Sequence, residues 1–102
     1  MNSKSVATQK VILEPKESIT SANANDFEVM ITQALHQSDY SGYLVDMQKV
    51  NFLDNAGLMA LVSAFRLAKS LGKQLSLCSI TPTVQIVFDL TRLDSIFHFV
   101  ES

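Results

Sequence analysis

Residues 43–71 read YLVDMQKVNFLDNAGLMALVSAFRLAKSL. Tyr43-Leu44-Val45 is a short apolar run, broken by Asp46 and resumed at Met47. Val50, Phe52 and Leu53 then lead into Asp54-Asn55-Ala56-Gly57. Beyond the glycine, Leu58, Leu61, Val62, Phe65 and Ala68 recur at three- and four-residue spacing, which predicts a helix with one buried face. The stretch therefore reads as a core strand, a tight loop and a helix whose amino end carries Asp54 and Asn55. Flanking hydrophobic elements force several polar groups and a glycine together here, which makes this loop the candidate functional site.

Toward the carboxy terminus, the helix is expected to run to Leu71. Arg66 and Lys69 complement its dipole and Gly72 stops it. Leu75, Leu77 and Ile80, with Cys78 among them, predict another core strand. Thr81-Pro82 is a helix start, a capping hydroxyl followed by proline at the first helical position. Val84, Val87 and Phe88 are expected to face inward, with Ile86 and Leu90 widening that apolar surface. After a turn at Thr91-Arg92-Leu93-Asp94, the residues Ile96, Phe97, Phe99 and Val100 predict a last strand with His98 in its middle.

Toward the amino terminus, residues 1–8 are small and polar and are expected to be a flexible arm ahead of one domain over 9–102. Val11-Ile12-Leu13 is a short strand ended by Pro15, and Ser18-Ile19-Thr20 is a brief second strand or the edge of a turn. Residues 21–25 suit a helix cap, with Asp26 and Glu28 in the first turn. Phe27, Met30, Ile31, Ala34 and Leu35 form its apolar stripe, and residues 37–42 turn the chain into the Tyr43 strand. The order β-(β)-α-β-α-β-α-β means crossover units. The fold class is α/β, a small single domain with a four- to five-stranded, largely parallel sheet and helices mainly on one face. An antiparallel first strand would make the sheet mixed.

Composition narrows the function classes. The chain has 102 residues, enough for one domain, and its 47% hydrophobic and 18% charged residues describe a globular core. A net charge of −2 without clustered Lys and Arg gives no footprint for nucleic acid. No apolar run approaches the ~20 residues of a membrane span, and the first residues lack the apolar segment of a signal peptide. A single cysteine in an apolar stretch, Cys78, points to a buried thiol in a reducing compartment, so a cytoplasmic location is expected. His36 and His98 lie far apart, with no carboxylate or cysteine at ligand spacing, so no metal site and no cofactor are expected. Phosphate-cradling glycine loops and a nucleophile elbow are missing as well, so no catalytic residue is assigned and an enzyme is the remotest class.

Within the central loop, Asp54 can cap the following helix, and Gly57 can admit a neighbouring backbone. Asp46, at the inner end of an apolar strand, is expected to meet a loop hydroxyl, a backbone amide or solvent near Asp54, and Thr20 and Thr81 are the candidate hydroxyls. Met59 falls outside the inward stripe set by Leu58, Leu61, Val62 and Phe65. It is either a surface residue beside Asn55, suited to partner recognition, or is tucked under a neighbouring helix.

The run Val45-Asp46-Met47-Gln48-Lys49-Val50-Asn51-Phe52-Leu53-Asp54-Asn55-Ala56-Gly57-Leu58 resembles the core motif of the STAS domain, typified by bacterial anti-sigma-factor antagonists. The resemblance continues through Gly72-Lys73-Gln74-Leu75, Ile80-Thr81-Pro82-Thr83-Val84 and Val87-Phe88-Asp89-Leu90-Thr91-Arg92-Leu93, and covers residues 11–100. It implies a non-catalytic switch protein that binds an anti-sigma factor, itself a serine kinase of the histidine-kinase-like ATPase type. In that family the kinase phosphorylates the serine directly after the Asp, and a PP2C-type phosphatase restores the hydroxyl. The switch loop implied here is Asp54, Asn55, Ala56, Gly57, Leu58 and Met59, supported by Thr20, Asp46 and Thr81.

Two positions depart from the family pattern. Asn55 stands where the acceptor serine is expected, and neither it nor Ala56 has a hydroxyl. Thr20 stands where many relatives place an aspartate. Because the Asn55 amide is neutral, it resembles the unmodified state. The resemblance therefore implies a form that stays competent to bind, or one regulated elsewhere. The alternative is a STAS scaffold or regulatory subunit in a stressosome-like, transporter- or lipid-associated assembly.

Overall fold

The computed structural model describes residues 10–37 and 39–100. The expected flexible arm at 1–8 lies outside the described residues. Among these, four strands form one sheet in sequence order: β1 (Lys10–Leu13), β2 (Gly42–Asp46), β3 (Gln74–Cys78) and β4 (His98–Phe99). Helix α1 (Ala24–Gln37) links β1 to β2, and α2 (Asn55–Ser70) links β2 to β3. Helix α3 (Pro82–Thr91) and a 3₁₀ turn (Leu93–Ile96) link β3 to β4.

Every pairing is parallel, in the registers Ile12↔Leu44↔Ser76↔His98 and Val45↔Leu77↔Phe99. The antiparallel first strand that would have made the sheet mixed is not adopted. The reason is α1, a crossover that returns the chain to the sheet in its starting direction. The second short strand reduces to one parallel bridge between Ile19 and Leu53. Sequence-ordered parallel strands with right-handed crossovers carry their helices on one face. The buried row of that face is Tyr43 and Val45 from β2 with Leu75 and Leu77 from β3. On the opposite face Ile12 is exposed and Leu44 is half-buried.

Helix α1 buries Phe27, Ile31 and Leu35, and α2 buries Leu58, Leu61, Val62 and Ala68 against the same core. Met30 departs from the expected stripe and is exposed, because it borders a shallow hollow beside Pro15–Glu17. Helix α3 buries Val84 and Phe88, but Ile86 and Leu90 point to solvent, 57% and 78% exposed. The expected widening of the apolar face therefore fails, since the ten-residue helix meets the core through Val84 and Phe88 with Val87 half-buried beside them.

The third strand stops at Cys78 because Ser79 has a positive φ of 58°, which turns Ile80 out of the ladder. The last strand is also shorter than expected. Ile96 belongs to the 3₁₀ turn, and the ladder holds His98 and Phe99, followed by a Val100 N–H bond to the Leu77 carbonyl at 2.9 Å. An aromatic cluster anchors this strand. The Phe97 ring lies 4.7 Å from Phe65 and 5.1 Å from Phe88, and Phe88 lies 5.8 Å from Phe99.

Candidate functional site

The loops that follow β1, β2 and β3 meet at the carboxyl edge of the sheet, where open parallel sheets generally present their sites. Asp54 joins two of them. Its backbone is extended at the N-cap of α2, and Oδ1 accepts the Gly57 N–H at 2.9 Å. Oδ2 accepts the Ser21 N–H at 3.0 Å, across to the loop that precedes α1. Both bonds favour the ionised form. The Gly57 amide first, and the Ser21 amide second, hold the Asp54 carboxyl below the ordinary aspartate range.

The two loops are also sewn backbone to backbone. The Ile19 N–H donates to the Phe52 carbonyl at 3.1 Å, and the Asp54 N–H donates to the Ile19 carbonyl at 3.3 Å. Gly57 is required by this approach. A Cβ at position 57 would lie 2.2 Å from the Ile19 carbonyl oxygen, so only glycine lets the helix start sit against that strand. The expected roles of Asp54 as cap and Gly57 as close-approach residue are both present.

The supporting residues meet expectation in part: Asp46 takes a backbone amide, one of its expected kinds of partner, and neither threonine hydroxyl. Asp46 is not held by Thr20 or Thr81; its Oδ1 accepts the Gln48 N–H at 3.0 Å and its Oδ2 the Gln48 side-chain amide at 3.3 Å. A carboxylate at a strand end meets the amide two residues on before it can reach across a loop. The Gln48 amide also donates to Glu14 Oε2 at 2.7 Å, which ties the ends of β1 and β2 together. Thr20 shapes its own turn instead: its N–H donates to Asn23 Oδ1 at 2.8 Å, and its hydroxyl accepts the Ala22 N–H at 3.2 Å. Thr81 stands at the N-cap of α3 with Pro82 behind it, yet its hydroxyl donates to the Val50 carbonyl at 2.9 Å instead of capping. It thereby fastens the third loop to the Met47–Leu53 segment.

What this framework presents to solvent is the outer row of the α2 amino end. Asn55 is exposed, Ala56 is half-buried, and Gly57 and Leu58 are buried. Met59, one turn beyond Asn55 on the same side, is 45% exposed, which resolves its two readings in favour of the surface. Phe52 belongs to the apolar strand-to-loop run Val50, Phe52 and Leu53. It proves 49% exposed, while its neighbours Val50 and Leu53 are buried. Its backbone carbonyl is committed to Ile19, so its ring turns outward. The sequence signal for this was present in the spacing, since Val50 and Leu53 can both point inward only if Phe52 does not. Among the described residues, no group of three His, Cys, Asp or Glu side chains could hold a metal ion.

The STAS domain family matches residues 3–102, and the chain belongs to that family. Its solved structural neighbours include a candidate anti-sigma factor antagonist of Thermotoga maritima. That protein is 24% identical, with a TM-score of 0.83 over 95% of this chain and 82% of the other. The anti-sigma factor antagonist SpoIIAA of Bacillus, in its unphosphorylated form, is 14% identical, with a TM-score of 0.68 over 91% of this chain and 80% of the other. The same fold occurs in the murine anion transporter Slc26a9. There the identity is 22% and the TM-score 0.73, over 91% of this chain but 16% of the transporter. The chain is thus a STAS domain whose fold is shared by anti-sigma factor antagonists and by a transporter.

Proposed function

We propose that this protein is an anti-sigma-factor-antagonist-like binding module that holds an anti-sigma factor of the histidine-kinase-like ATPase type. Its docking surface is the loop and first turn from Asp54 to Met59, with Phe52 at its rim. The observation that carries this reading is Asn55. It is exposed at the first position of α2, directly after the capping Asp54, where the resemblance expects the acceptor serine. A phosphoserine there would add nearly two negative charges to the docking surface and disturb a partner seated on it. Asn55 and Ala56 offer no hydroxyl, so the module stays in the binding form whatever the ATP level, and a PP2C-type phosphatase has nothing to remove at this position.

The proposal also covers setting and chemistry. The module acts in the cytoplasm, binds neither nucleic acid nor membrane, and catalyses no reaction of its own. The test is intact-mass measurement after incubation with a kinase of this type and ATP. The native chain is expected to keep its mass, and Asn55→Ser is expected to gain one phosphoryl group. A phosphoryl group on the native chain would overturn the permanently competent reading and place regulation at another hydroxyl. If neither form binds such a kinase, the scaffold reading stands in its place.

A further inference from the structure

Helix α2 is sixteen residues long, which sets its two ends about 24 Å apart. Its carboxyl end borders an open cleft of about 600 Å³, far from the Asp54 loop. The floor is apolar, made by Phe65 and Leu75 with Ile96 from the 3₁₀ turn. Three cations stand around it, Arg66, Lys69 and Lys73.

The three cations are not equivalent. Lys73 is pinned: its ammonium donates to the Leu35 carbonyl and, at 3.3 Å, to the Tyr43 hydroxyl, and it lies 5.4 Å from the Tyr43 ring centroid. It supplies a fixed positive charge in the wall. Arg66 and Lys69 are exposed and form no ion pair among the described residues, where both salt bridges belong to Glu14. Nor are they needed to cap the helix. The Leu67, Ala68 and Lys69 carbonyls already accept the N–H groups of Leu71, Gly72 and Lys73, and the Ser70 hydroxyl adds a bond to Leu67.

We infer that this cleft is a binding site for a small amphiphilic anion, an apolar or aromatic body carrying a carboxylate or a phosphate. Its volume lies in the range of small-molecule sites, and its lining combines apolar side chains with a few polar ones, as theirs does. The apolar body covers Phe65, Leu75 and Ile96. Arg66 and Lys69 close on the charged end, the Arg66 guanidinium offering the two-pronged donor geometry that suits either anion. The inference is independent of the proposed partner, because none of these residues belongs to the Asp54–Met59 surface.

The test is titration of the isotope-labelled native protein, read from its amide chemical shifts, with four probes. These are naphthoate, naphthyl phosphate, uncharged naphthalene methanol and inorganic phosphate. The expected result is saturable shifts centred on residues 65–75 and 95–98 for both aromatic anions, with naphthalene methanol and inorganic phosphate at least about tenfold weaker. The tighter of the two aromatic anions then identifies the ligand class as carboxylate or phosphate ester. The double variant Arg66→Gln with Lys69→Gln, checked for an unchanged melting temperature, should lose at least about tenfold in affinity for both. Shifts that never saturate, equal binding of the uncharged probe, equal binding of bare phosphate, or a double variant that binds as the native chain does would each overturn the inference.

Discussion

At the level of single residues, the site depends on one carboxylate and one missing side chain. In Gly57→Ala the new methyl group meets the backbone of Ile19, which the flanking bonds to Phe52 and Asp54 hold in place. Alanine's better helix propensity returns only about 1 kcal/mol. Urea denaturation should therefore show a net loss of about 1–3 kcal/mol, the usual cost of overpacking. A more stable variant would contradict the close approach. The Asp54 carboxyl is held below its ordinary range in the folded chain, so its contribution is complete at neutral pH. That contribution is lost as pH falls through the folded-state pKa. Asp54→Asn should therefore be less stable at neutrality and show a flatter decline between about pH 6 and about pH 3. Parallel acid limbs for the two proteins would contradict the two-amide clamp. Both roles were legible in the sequence, because caps and close-approach glycines are local and have characteristic neighbours. The partners of Asp46, Thr20 and Thr81 were not. Which hydroxyl meets which carboxylate depends on how three separate loops come together: Asp46 and Thr20 bond amides two residues on, whereas Thr81 reaches the Val50 carbonyl of another loop.

At the level of elements, the hydrophobic period located all three helices and the two central strands but did not fix how far each face is covered. Phe27, Ile31 and Leu35 keep strict four-residue spacing and are buried, whereas Met30, one position off that row, and Leu90, two positions off the Val84–Phe88 row, are exposed. Periodicity marks the centre of a buried face; its width depends on what lies opposite. The last strand makes the same point. With only His98 and Phe99 in the ladder, β4 is held chiefly by Phe97, which is buried among Phe65, Phe88 and Phe99. Phe97→Ala should cost about 3–5 kcal/mol in chemical denaturation and speed amide exchange at Val100. A loss below about 1 kcal/mol would mean that the strand is held by something other than the aromatic cluster. On α2, the exposed row from Asn55 to Met59 carries the proposed contact. Met59→Asp should weaken partner binding by at least about tenfold while leaving the melting temperature nearly unchanged, since the side chain is already at the surface. An unchanged affinity would remove this row from the interface.

At the level of the whole molecule, the fold holds the loop framework and leaves the surface of the proposed docking loop open to change. Parallel strands in sequence order send three loops to one edge of the sheet. Asp54, Thr81 and the Ile19–Leu53 bridge then lock them together, so the amino end of α2 is fixed before any partner arrives. A preformed surface of this kind does not need to be ordered on binding, and its affinity responds chiefly to the chemistry of the exposed residues. On the proposed reading, the identity of residue 55, asparagine or serine, therefore decides the behaviour of the module. The most direct measurement is calorimetric titration of the anti-sigma kinase with the native chain and with Asn55→Ser, each after incubation with ATP. The proposed reading predicts that the native chain keeps its ATP-free affinity, whereas Asn55→Ser binds at first and loses at least about tenfold once phosphorylated. A native chain that also loses its affinity with ATP would contradict it.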